Sequence, residues 1–334
     1  MKLNFLMEKR NAIYGVCALW IILFHVFRRI SMPYIPVFTD GIAIGMLSVD
    51  VFFFLSGTSL ALAAEKHRYM ESHWKGYLKR RLERIMIPYL IVGVPYYLWN
   101  CIFEVHGSAG KKILVFFANL SSASYWLRGT QTTWYVYAIV LFYCLFPFLF
   151  CFIKKGSRAA QIALLAGTIG LAIISAYIPV LNNSVNVWSR LPVFIMGIWA
   201  ANELREKQYK LSKASRIACL ALILLIGAVI SKNELSPTFT LPIVYRNLLQ
   251  LPLTLSLMAL LSVHPMKTKP HVLEWLGGLS LELYLVHVTL LHPLKYYGII
   301  DAVGYWLYLI LPPLSALIAW VVGKIEKTVM KRLA

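Results

Sequence analysis

Ten apolar stretches run through this chain, at residues 12–27, 43–64, 85–103, 133–153, 160–179, 188–203, 214–231, 241–262, 272–292 and 303–323. That repetition constrains the fold more than any motif. A helical crossing of a bilayer needs about 20 apolar residues, and most of the stretches reach or approach that length. The predicted fold class is all-α, a polytopic integral membrane helical bundle of about ten transmembrane helices. Segment 188–203 is short and carries Pro192 and Gly197, so it is expected to be tilted, broken or re-entrant. Segment 111–120 (KKILVFFANL) is apolar but too short to span, and reads as interfacial.

Composition closes off the soluble alternatives. The 334 residues are 59% hydrophobic and 14% charged, where soluble domains carry roughly a quarter charged residues. A single membrane domain over 1–334 accounts for this, with no remainder for a separate soluble module. The net charge of +19 does not indicate nucleic acid, because the basic residues cluster in short loops between spans. With the N-terminus on the cytoplasmic side, 24 of the 33 Lys/Arg fall in inner segments and 9 in outer ones. This positive-inside bias places both termini in the cytoplasm of a multi-pass protein of the plasma (inner) membrane. Trp74, Trp99, Trp126, Trp134, Trp188, Trp275 and Trp306 fall near span ends, as an aromatic belt does. The basic start, Lys2 to Arg10, leads into an apolar run with no small-residue cleavage site, so a retained first span is expected. The five cysteines lie mostly inside apolar runs without a CxxC spacing, and read as packing.

Ionisable residues inside the spans are the candidates for chemistry, because they are costly in hydrocarbon. At ~1.5 Å rise per residue, His25 lies about 20 Å above Ala12, Asp50 about 21 Å above Ala64, and His287 about 22 Å above Val272. All three are predicted to share one layer in the outer half of the membrane. The first two spans are joined by a short loop and are expected to be neighbours. Asp50 is therefore expected to accept a hydrogen bond from His25, fixing its tautomer and making the other ring nitrogen the better base. A polar pair gluing helices together is the structural alternative. Glu282, five residues before His287, is a further site candidate about 140° away around the helix. His67, His73, His106, His264, His271 and His292 lie in loops or at span edges. No HExxH or HxxxH spacing exists, so no metal site is expected. The inner segment 65–84, whose end KGYLKRRLER runs on into IMIP of the next span, either fixes topology against anionic membrane lipids or holds a phosphate-bearing ligand, for which Arg offers a rigid fork.

In order and spacing, ALWIILFHVF, SVDVFFFLSGTSLALA, RRLERIMIPYL, TTWYVYAIVLFYCLFPFLF, RLPVFIMGIWA and LGGLSLELYLVH together resemble the membrane-bound acyltransferase family 3. Its members move acyl groups from acyl-CoA onto sugars and other acceptors. The resemblance implies that His25 is the catalytic histidine, supported by Asp50. It implies that the Arg-x-x-Arg element, Arg81 and Arg84 with Arg80 beside them, engages CoA phosphates. It also carries the family's Ser-Gly pair onto Ser56 and Gly57, with Thr58 where phenylalanine is usual, and its late Tyr…His pattern onto Tyr284 and His287. The family's basic residue eleven positions before the histidine is Tyr14 here. Arg10, four residues earlier, is a substitute from a different helical azimuth.

The resemblance implies an O-acyltransferase, most plainly an O-acetyltransferase. Acetyl-CoA (or another acyl-CoA) would be the donor, and a cell-envelope or secreted carbohydrate, or a lipid-linked glycan, the acceptor. The rival reading is a transporter of a small polar or anionic solute, with the intramembrane His/Asp groups as a proton relay.

Overall fold

The computed structural model describes residues 3–30, 32–67, 74–129, 132–204, 211–236, 238–263 and 270–333; His73 and His264 lie outside them. Those residues form helices and no strands. Ten long helices follow the apolar stretches: α1 (Arg10–Phe27), α2 (Leu47–His67), α3 (Trp74–Phe103), α4 (Trp134–Lys155), α5 (Arg158–Tyr177), α6 (Leu191–Leu204), α7 (Lys213–Leu235), α8 (Ile243–Leu261), α9 (Ser280–Tyr296) and α10 (Leu307–Leu333). Local chemistry sets several of the starts. The Ser157 and Ser212 hydroxyls accept from the Ala160 and Ser215 amides, at 3.2 and 3.0 Å. Both satisfy amides that the first turns of α5 and α7 leave open.

Eight helices among the described residues are long and apolar enough to cross a membrane. The two remaining apolar stretches depart from a simple span. Helix α6 has 14 residues, about 21 Å of helix, with a separate turn, Val185–Trp188, in front of it. The stretch expected as one span over 272–292 is two helices, His271–Gly278 and α9, meeting at Leu279. A Cβ on Gly277 would lie 1.7 Å from the Asn11 carbonyl oxygen, and one on Gly15 2.1 Å from that of Leu273. The short helix therefore lies antiparallel to α1, backbone on backbone, and α9 starts afresh beside them.

Helix α3 begins eleven residues before the apolar stretch drawn at 85, so the basic run carrying Arg80, Arg81 and Arg84 is helical. Its 30 residues make about 45 Å of helix, longer than a ~30 Å hydrocarbon core, and the polar first turns extend past it. The interfacial segment forms a helix, Ala109–Leu120, that packs on α3 with Ile113, Leu114 and Phe117 facing outward.

Small residues bring α2 and α6 together. A Cβ on Gly57 would meet the Phe194 carbonyl oxygen at 2.3 Å, and one on Gly197 that of Phe54 at 2.1 Å. The Thr58 hydroxyl, at 2.9 Å from the Phe54 carbonyl and 3.0 Å from that of Gly197, hydrogen-bonds across the same crossing. Small residues let membrane helices approach at van der Waals distance, and hydroxyls add a bond there.

Candidate active site between two cavities

Helix α1 carries an arginine at its start, a tyrosine one turn on, and His25 in its last turns. Alongside it, α9 carries Tyr284 and, one turn on, His287. The two histidine rings meet with centroids 5.1 Å apart. The Nδ1 of His287 is 2.8 Å from the Leu283 carbonyl oxygen, and its Nε2 is 3.2 Å from Nδ1 of His25. Nδ1 of His25 is also 2.9 Å from the Ile21 carbonyl oxygen.

These contacts assign the tautomers of the neutral pair. A carbonyl oxygen only accepts, so Nδ1 of His287 carries the hydrogen and its Nε2 is a lone pair. Nδ1 of His25 must then donate, sharing its hydrogen between Ile21 and His287. That leaves Nε2 of His25 unprotonated, the form a general base requires.

The side chain that meets His25 is His287, which accepts from Nδ1 beside the Ile21 carbonyl, whereas the sequence pointed to Asp50. No hydrogen bond joins Asp50 to His25 among the described residues. The Asp50 carboxylate instead faces Arg190, with Oδ2 3.7 Å from Nε and both side chains fully buried. Around that pair, Arg190 donates to the Asn247 side-chain oxygen at 3.2 Å and to the Asn186 carbonyl at 3.3 Å, and its guanidinium lies 5.0 Å from the Trp134 ring centre. Asn247 in turn donates to Ser189 and Asn186, at 2.9 and 3.0 Å. Asp50 thus ties α2 to the start of α6, with α8 closing the network. Arg190, one of the nine cations that the charge bias assigns to outer segments, and Trp134, expected in the aromatic belt, are both buried. The signal in the sequence was Asp50 itself, because a carboxylate in hydrocarbon calls for a cation, and Arg190 lies inside the apolar stretch drawn at 188–203.

A cavity of about 330 Å³, the inner one in the orientation expected from the charge bias, lies on the side of the histidine pair where α1 begins. Arg10, Arg81 and Arg84 line it, together with Ser56, Glu282 and Tyr284. It reaches Ile21, one turn before His25, and Tyr284, one turn before His287. Arg80 is not among its lining residues, although the next residue on the helix is. Arg10 and Tyr14 both face it; four residues are just over one turn, so their azimuths nearly coincide rather than diverge. Arg10 donates to the Ser59 hydroxyl at 3.2 Å and sits 5.9 Å from the Tyr14 ring centre. A cation is therefore present in this wall even though position 14 is tyrosine. Tyr284 is held by its hydroxyl, which donates to the Thr132 carbonyl at 3.3 Å. Gly57 is a packing residue of the α2–α6 crossing and does not line the cavity.

An outer cavity of about 460 Å³ opens at the other ends of these helices. His25 lines it, with Arg28 and Arg29 at the end of α1, Arg246 near the start of α8, Lys295 at the end of α9, and Asp301. Arg28 and Arg246 share the buried Glu234 carboxylate, at 2.7 and 2.5 Å. Sequence reasoning missed this cluster. Its trace was the presence of paired cations on the side where a positive-inside chain is otherwise sparing.

A half-buried histidine held in its base-competent tautomer thus stands between an arginine-lined cavity and an open cationic one, an arrangement for moving a group from one side to the other. No curated protein and no solved structure matches the chain. Residues 11–324 match the family model described as "Acyltransferase domain", nearly the whole chain, and the protein belongs to that family of membrane acyltransferases.

Proposed function

We propose that this protein is an O-acyltransferase that takes an acyl group, most simply acetyl, from cytoplasmic acyl-CoA and delivers it to a hydroxyl of an envelope or secreted carbohydrate. The observation that carries this reading is the position of His25 between the two cavities. Arg10, Arg81 and Arg84 hold the CoA phosphates on the cytoplasmic side, where Arg is suited to bidentate phosphate contacts. The pantetheine arm extends up the inner cavity toward Ile21 and Tyr284. A volume of about 330 Å³ with arginines at its mouth suits that arm and a short acyl group.

His25 Nε2 takes the proton of the acceptor hydroxyl as its oxygen attacks the thioester carbonyl. The C–S bond then breaks, and the sulfur of CoA leaves with the proton returned by His25. His287 accepts a hydrogen bond from Nδ1 throughout, a bond that strengthens when His25 becomes imidazolium. The same nitrogen could form an acyl-His25 intermediate first; a burst of CoA released without acceptor separates that route from direct transfer. Asp50 acts at a distance by fixing α2 against α6. The membrane is the plasma (inner) membrane, with both termini cytoplasmic so that the Arg81 end faces the donor.

The test is thermal stability of the purified protein with acetyl-CoA, with free CoA, and with neither. A ligand at 100 times its dissociation constant stabilises by about 2.7 kcal/mol. Both CoA species should raise the melting temperature, and Arg81→Ala/Arg84→Ala should lose that shift. No shift in a folded wild-type sample at millimolar ligand refutes the acyl-CoA donor.

A further inference from the structure

The outer cavity carries more charge than a neutral sugar hydroxyl requires. Only nine of the 33 Lys/Arg belong to segments on this side of the chain, and four of the nine, Arg28, Arg29, Arg246 and Lys295, converge on this one cavity. They come from the ends of α1, α8 and α9, remote in sequence, so local composition does not explain the cluster. One carboxylate, Asp301, lines the cavity with them. The buried Glu234 behind the wall serves Arg28 and Arg246 together, which orients those two and leaves the pair with a net positive charge. Arg29 and Lys295 are exposed, and among the described residues neither has an ion pair or a side-chain hydrogen bond. Four cations against two carboxylates is a net surplus of two in a pocket that also contains His25.

Unpaired like charges gathered in a concave site repel one another, and a low-dielectric wall focuses their field on whatever enters. The arrangement is relieved by an anion. Building on the acyltransferase reading above, we propose that the acceptor is anionic: it carries a phosphate or carboxylate group that Arg29 and Lys295 bind while its hydroxyl lies against Nε2 of His25. Arg28 and Arg246, held by Glu234, form the fixed side of the same subsite. The charge selects the acceptor and sets its register, so that one hydroxyl of a sugar or polyol reaches the base.

The test uses matched probes in nanodiscs of phosphatidylcholine, which supply no anionic lipid. The pairs are sn-glycerol 3-phosphate against glycerol, and methyl glucuronoside against methyl glucoside. The anionic member of at least one pair should raise the melting temperature and, with acetyl-CoA present, release CoA at least tenfold faster than its neutral partner. Arg29→Gln/Lys295→Gln should erase both differences, whereas Lys232→Gln, a change of the same charge elsewhere on the outer side, should keep them. Equal shifts and equal rates within both pairs overturn the proposal, as does a preference that survives the double variant. A stabilisation seen on replacing phosphatidylcholine by phosphatidylglycerol, lost in the double variant and matched by no soluble anion, also overturns it and assigns the cluster to a lipid headgroup. The acetyl-CoA shift in the same discs reads the inner cavity separately. Its loss with the anion effect intact removes the donor reading and leaves the anion site standing.

Discussion

Replacing His287 by alanine tests the site more sharply than removing His25, because it is the tertiary arrangement that sets His287 against His25. In the wild type, the Nδ1 hydrogen of His25 is shared between Ile21, at 2.9 Å, and His287, at 3.2 Å. Without His287 the Ile21 carbonyl still accepts, so the base-competent tautomer survives. What is lost is one hydrogen bond to the imidazolium that forms as His25 takes the proton. A hydrogen bond to a charged group is worth about 1.5–3 kcal/mol, and about 1.36 kcal/mol is tenfold in rate. His287→Ala should therefore lower kcat by roughly 10- to 150-fold, with the KM for acyl-CoA little changed. His25→Ala removes the base and should cost about 10²- to 10⁴-fold. Because the two act as a unit, the double variant should be no slower than His25→Ala alone. His287→Gln, whose side-chain oxygen can accept from Nδ1, should recover part of the loss. The assay is transfer of label from acetyl-CoA into envelope material in inside-out vesicles from the native host, with melting temperature as the control for folding. A double variant whose defect equals the product of the single defects, or wild-type rates in a folded His287→Ala protein, refutes the contribution of the His287–His25 hydrogen bond.

Two further expectations concern the frame around the site. Asp50→Asn or Arg190→Gln alone strands a buried charge and should destabilise the protein by about 3–5 kcal/mol; the two changes together should cost less than their sum, read by thermal melting, and additive losses would refute a direct pair. Gly197→Ala places a Cβ 2.1 Å from the Phe54 carbonyl oxygen, which forces α2 and α6 apart. It should lower the melting temperature by an amount equivalent to at least the 1–3 kcal/mol typical of overpacking, and an unchanged melting temperature would show that the crossing yields.

Much of the architecture was legible because hydropathy, charge bias and helix signals are local properties. The stretches at 12–27, 133–153 and 160–179 coincide with α1, α4 and α5 within two residues at each end. The break in 272–292 was not legible. Gly277 and Gly278 admit a break, but only the backbone of Asn11, a distant partner, makes the tight contact that holds the short helix there.

The candidate site divides in the same way. His25, Arg81 and Arg84 stand out in one dimension, since an imidazole in hydrocarbon and an arginine pair at a span's edge are costly or orienting wherever the helices go. Rise per residue also placed His25 and His287 in one layer, because depth along a helix accumulates predictably. Choice of partner depends instead on azimuth and on which helices are neighbours, quantities that only packing decides. So Asp50, at the right depth, faces Arg190 across the α2–α6 crossing, while α9 turns His287 toward His25. The outer cation cluster lies furthest from the sequence. Its four members span positions 28 to 295, and they become one site only because α1, α8 and α9 end around the same opening.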